Sequence, residues 1–178
     1  MKPCMASLSA LDWIAANMTI DTYCIYVLCP RRDSDYVKQM LNAFLRKPVP
    51  ASDEFEYPQF ESPPRAIFHD PCEVISVVER ETSQPYSLYW NEAGSGDSIT
   101  DTAITQVMAF FTEDAQLIVG CAALTDHPGQ VLEKACRILD AKYGFVTGDE
   151  LPPSTAEEFK AVCKQAMSPR LLNGVLYR

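Results

Sequence analysis

The chain has 178 residues, 47% hydrophobic and 22% charged, with 15 Lys+Arg set against 24 Asp+Glu for a formal net charge of -9. A chain of this length hides roughly 70% of its unfolded surface on folding, so a core can form without disulfide or metal support, and the composition excludes a disordered, coiled-coil or collagen-like protein. A surface this acidic, with a pI of about 4.7 and no local basic patch, repels phosphates and excludes a general nucleic-acid binder or an anionic-membrane binder.

At the amino terminus, Leu8, Leu11, Ala15 and Met18 recur at spacings of three and four, with Ser9 and Asp12 as a capping-box-like pair, which predicts a short helix. Residues 22–29 are rich in β-branched and aromatic side chains and stop at Pro30, as a buried strand would. Val37, Met40, Leu41, Phe44 and Leu45 then fall at i, i+3, i+4, i+7 and i+8, the spacing of an amphipathic helix, with Ser34 as its expected N-cap. Between residues 48 and 64 the texture changes. Pro48, Pro50, Pro58, Pro63 and Pro64 are mixed with Asp53, Glu54, Glu56 and Glu61 and with the aromatics Phe55, Tyr57 and Phe60. Proline at this density predicts an extended acidic loop, which is either a functional segment or a plain connector.

Strand-like runs at residues 66–68 and 74–78 follow, separated by an expected turn at Asp70-Pro71, and a third run covers 86–90. Gly94-Ser95-Gly96-Asp97 reads as a loop. Residues 104–111 and 117–124 are two apolar segments joined by 112–116, a predicted hairpin whose apolar residues occupy both alternating faces and so belong in the middle of a sheet. A helix starts near Asp126-His127-Pro128, carries Val131, Leu132, Ala135, Ile138 and Leu139 on one face, and is expected to stop at Gly144. The last helix has Ser154 and Glu157 as an expected capping box, Phe159, Val162, Cys163 and Ala166 on one face, and Ser168-Pro169 as its end. Strands gathered in the middle with helices at both ends, no internal repeat and no domain-scale linker predict one α+β domain over residues 1–178, a mainly antiparallel central sheet flanked by three to four helices.

Seven cysteines (Cys4, Cys24, Cys29, Cys72, Cys121, Cys136 and Cys163) form an odd set lying mostly inside apolar runs, the pattern of reduced, buried thiols. No uninterrupted apolar stretch of signal-peptide length precedes Asp12 and none approaches the ~20 residues of a membrane helix, so a cytoplasmic protein, bacterial in style, is expected.

Candidate chemistry is sparse. His69-Asp70-Pro71-Cys72 puts a base, an orienting carboxylate and a thiol within four residues, the types a thiolate nucleophile needs, but so short a turn should leave the side chains diverging. His127 reads as a capping or surface residue. Cys24 and Cys29 should face opposite sides of a strand, no Cys-x-x-Cys occurs, and the glycine loop lacks both a Gly-Lys-Ser/Thr continuation and a third glycine, so neither a metal nor another cofactor is expected. The carboxylate pairs Glu79/Glu81, Glu113/Asp114, Asp149/Glu150 and Glu157/Glu158 read as solvated or helix-start charge. What remains is collective: net negative charge together with an acidic, aromatic-bearing loop suits capture of a basic protein partner.

The order Tyr86-Ser87-Leu88-Tyr89-Trp90, then residues 108–120 (MAFFTEDAQLIVG), then Tyr143-Gly144-Phe145-Val146-Thr147 and 152–159 (PPSTAEEF), over about the last 100 residues, resembles small cytoplasmic immunity proteins of bacterial polymorphic toxin and type VI secretion systems. The resemblance rests on fold-forming patterns. It implies stoichiometric inhibition, in which the protein binds a cognate toxin and blocks its active site or its access to substrate. Contact residues differ between members of such families and none is carried over by motif. From composition, the expected contact set is Asp53, Glu54, Phe55, Glu56, Tyr57 and Glu61. The alternatives are a thiol-dependent hydrolase or transferase using Cys72 and His69, or a non-catalytic adaptor subunit, and self-association as a homodimer stays open.

Overall fold

The computed structural model describes residues 21–93, 102–148, 150–167 and 169–177. The predicted first helix around Leu8–Met18, the Gly94-Ser95-Gly96-Asp97 loop, Asp149 and Ser168 lie outside the described residues.

The architecture is α+β, as the sequence predicts. Eight antiparallel strands form one sheet in the order β10-β9-β8-β1-β7-β6-β5-β2, and two more, β3 and β4, form a small separate sheet. The strands are β1 (Thr22–Leu28), β2 (Pro48–Pro50), β3 (Phe55–Tyr57), β4 (Ala66–Phe68), β5 (Tyr86–Glu92), β6 (Thr102–Phe111), β7 (Leu117–Thr125), β8 (Tyr143–Thr147), β9 (Arg170–Leu172) and β10 (Val175–Tyr177). Four helices are described: α1 (Ser34–Phe44), α2 (Pro71–Arg80), α3 (Pro128–Leu139) and α4 (Ala156–Gln165). None of them is long and apolar enough to cross a membrane.

Strand alternation divides the core in two. Ile25, Val27 and Cys29 point to the face covered by α1, α2 and α3, where they meet Val37, Met40, Val78, Leu132 and Leu139. Tyr26 and Leu28, with Cys24 at their margin, point to the opposite face, where α4 contributes Phe159 and Cys163. Cys24 and Cys29 therefore lie on opposite sides of the sheet, as their odd spacing requires. The β6–β7 hairpin is central and buried on both faces, again as its pattern predicts. Gly120 sits opposite Tyr26 in the β1–β7 register, and a Cβ there would land on the Tyr26 ring and within 2.9 Å of the Ile25 carbonyl oxygen. The glycine makes room for the aromatic ring.

Several local expectations are corrected. Residues 74–78 are not a strand but the middle of α2. Asp70 accepts a hydrogen bond from the Cys72 N–H, Pro71 occupies the first turn, and Val74, Ile75 and Val78 fall on one helical face, so cap and period override the β-branched composition. The N-cap of α1 is Asp33 rather than Ser34, and that of α4 is Thr155 rather than Ser154, with its hydroxyl accepting from the Glu158 N–H. Helix α3 ends at Asp140 in a left-handed conformation, four residues before Gly144, because Gly144 belongs to β8 and packs against Leu132 and Val27. The segment 48–64 is not irregular throughout, since it contains β2 and β3. Pro48 and Pro50 stand on an edge strand beside Glu92 and Trp90, a position where proline is tolerated and blocks further pairing.

Arg32 ties the parts together. Its guanidinium donates to the carbonyls of Val78 in the last turn of α2, of Gln84 in the turn after it, and of Thr112 and Gln116 in the β6–β7 turn, and it lies 5.0 Å from the centre of the Phe111 ring. Burial holds its pKa below the ordinary arginine value.

Candidate functional site

From β2 the chain leaves the sheet, makes β3 and returns, and both ends of this strap are fastened to β5. At one end the Ala51 N–H donates to the Tyr89 carbonyl at 2.9 Å. At the other, the Gln59 carboxamide makes both bonds that a neighbouring strand would make: its NH2 donates to the Ser87 carbonyl at 3.0 Å, and its oxygen accepts from the Ser87 N–H at 2.8 Å. A single side chain thus takes the place of a strand and satisfies the β5 edge. Between strap and edge lies a groove of about 530 Å³ whose walls include Glu54, Phe55, Glu56, Phe60, Tyr86 and Ser87. Its volume is within the range of small-ligand sites.

The strap is stiffened from below. Period-2 alternation in β3 turns Phe55 and Tyr57 into the core, 6% and 3% exposed, and leaves Glu56 outside. The Tyr57 hydroxyl donates to Glu81 at 2.7 Å, its ring stacks on Tyr86 with centroids 6.2 Å apart, and the Arg65 guanidinium lies 5.3 Å from its centre. Burial, and then the bond to Glu81, push the Tyr57 phenol up to about 12. Tyr86 is likewise raised to about 12, by burial first and then by the nearby Glu56 carboxylate. Ser52 closes the turn before β3 by donating to the Glu54 carbonyl at 2.7 Å.

The six residues expected to contact a partner are thus sorted into three kinds. Asp53, Glu54 and Glu56 are exposed and have no ion-pair partner among the described residues. Glu61 is paired with Arg65 at 3.9 Å, an exposed ion pair of small energetic consequence. Phe55 and Tyr57 are interior and support the strap, so neither ring is presented to solvent. The aromatic that does face solvent is Phe60, 86% exposed on the groove wall. Its position was legible only as one aromatic among three, because the alternation that hides Phe55 and Tyr57 depends on β3 being a strand.

The His69-Asp70-Pro71-Cys72 constellation resolves into a helix start. The Asp70 carboxylate caps the Cys72 N–H at 2.8 Å, and His69 Nδ1 lies 3.3 Å from the Asp53 carbonyl oxygen. Burial, reinforced by the Asp70 charge, raises the Cys72 thiol pKa, the opposite of what an activated nucleophile needs. Among the described residues no group of three His, Cys, Asp or Glu side chains is placed to hold a metal ion. No family model, curated protein or solved structure matches the chain.

Proposed function

We propose that this chain is a cytoplasmic immunity-like binding protein that neutralises a cognate bacterial toxin, of the polymorphic or type VI secreted kind, by occupying its basic surface and blocking its active site or substrate access. The observation that carries the reading is the strap: Asp53, Glu54 and Glu56 stand exposed, with no ion-pair partner among the described residues, beside solvent-facing Phe60, on a segment fastened at both ends to the sheet. Held rigidly, such charge steers a basic partner and loses little entropy on contact. The raised Cys72 thiol favours this reading over a thiol-dependent enzyme.

The test is to capture partners of the immobilised chain from its native host and to express each in a test cell with and without the chain. The expected result is a basic protein bound one to one, which arrests growth alone and not when the chain is co-expressed. A bound protein that never arrests growth, or whose toxicity is unchanged by the chain, would overturn the proposal.

A further inference from the structure

The groove between the strap and the β5 edge combines two kinds of group that recognise one chemistry. Glu54 and Glu56 supply carboxylates with no ion-pair partner among the described residues, and Phe60 supplies an exposed aromatic face on the same walls. Glu56 and Tyr86 line the same groove, on the strap and on β5 respectively. A planar cation satisfies both at once, because a guanidinium can accept stacking on its flat face while its edge donates to a carboxylate, whereas an ammonium offers a point charge. We infer that the groove receives an arginine side chain of a basic protein partner, its guanidinium set against Phe60 and donating to Glu54 and Glu56. Gln59 is a positioning residue, since its bonds to Ser87 hold the strap and so set the spacing between the acidic wall and β5.

The inference rests on the reading of the chain as a binder of a basic protein, but it is tested without that partner. A tetra-arginine peptide is titrated into the full chain at low salt, with backbone amide shifts as the readout and a tetra-lysine peptide as the comparison. Shifts are expected to concentrate at residues 51–60 and 86–89, with several-fold tighter binding of the arginine peptide. Glu54→Gln with Glu56→Gln should weaken the arginine peptide about tenfold. Phe60→Ala should remove the preference for arginine over lysine, a change that loss of charge alone does not produce. Gln59→Ala should weaken arginine binding while the amide spectrum outside the strap keeps its folded pattern. Shifts spread over other acidic surfaces such as α4, or equal binding of the two peptides in the unaltered chain, would overturn the inference. If the groove fails this test while a one-to-one toxin is still captured from the host, only the groove assignment falls. If the groove binds arginine as described and no toxin exists, only the functional reading falls.

Discussion

Two acidic connections in this molecule use their charge in opposite ways. In the β6–β7 turn, Asp114 accepts from the Thr112 hydroxyl at 2.6 Å and from the Ala156 N–H at the start of α4 at 2.8 Å, while the Thr112 and Gln116 carbonyls receive Arg32. In the strap, the holding is done by Gln59, Ser52, the Tyr57 hydroxyl bonded to Glu81, and two backbone bonds, those of Ala51 to Tyr89 and of Arg65 to Tyr57. The carboxylates of Asp53, Glu54 and Glu56 are left outside. Charge satisfied by internal donors belongs to the fold, whereas the three outward carboxylates of the strap meet no cation among the described residues. Sequence composition cannot separate the two, since both segments read as acidic and lie next to aromatics.

The comparison is broken most severely at Arg32. Arg32→Ala leaves four carbonyls without their shared donor and should destabilise the fold by about 3 kcal/mol or more, measured by urea unfolding. Asp114→Ala removes one helix-start acceptor and one turn bond and should cost about 1–2 kcal/mol in the same measurement. A separate effect comes from pH. Tyr57 and Tyr86 titrate near 12 in the folded chain against 10.0 for an ordinary tyrosine, so between those values the folded state binds more protons than the unfolded one. Stability from these two groups is therefore fully present below pH 10 and declines as pH rises toward 12, and an alkaline unfolding series followed by tyrosinate absorbance should show that window. Smallest of all, Glu54→Gln and Glu56→Gln should change stability by no more than about 0.5 kcal/mol in either direction, while altering recognition of a cation. A large loss of stability in these variants would erase the distinction between the two acidic segments.

Elements governed by a clean period were legible. β1, the β6–β7 hairpin and helices α1, α3 and α4 follow from apolar spacing and proline placement. Helix α2 was hidden because Val74, Ile75, Val77 and Val78 are strand formers by composition, and the Asp70-Pro71 pair that reads as a turn is also a helix start. The β9–β10 hairpin carries Asn173-Gly174 at its turn, with positive φ at both residues, a recognised hairpin signal whose flanking strands are too short, at three residues each, to show a period. The acidic half of the site was visible as composition. Its geometry was not, because it depends on Gln59 meeting Ser87 across 28 residues, and nothing local in either residue marks that pairing.

Arg32 also bears on the order in which the molecule assembles. Its acceptors lie 46, 52, 80 and 84 residues away along the chain, in two segments that do not touch it through any local element. Such bonds cannot form until both segments have arrived, since each requires closure of a long loop first. They belong to the late, native side of the folding barrier, where an interaction slows escape from the native state without speeding entry. The arginine therefore acts as a latch on the lifetime of the folded protein, and its removal should appear mainly as faster unfolding, with refolding nearly unchanged.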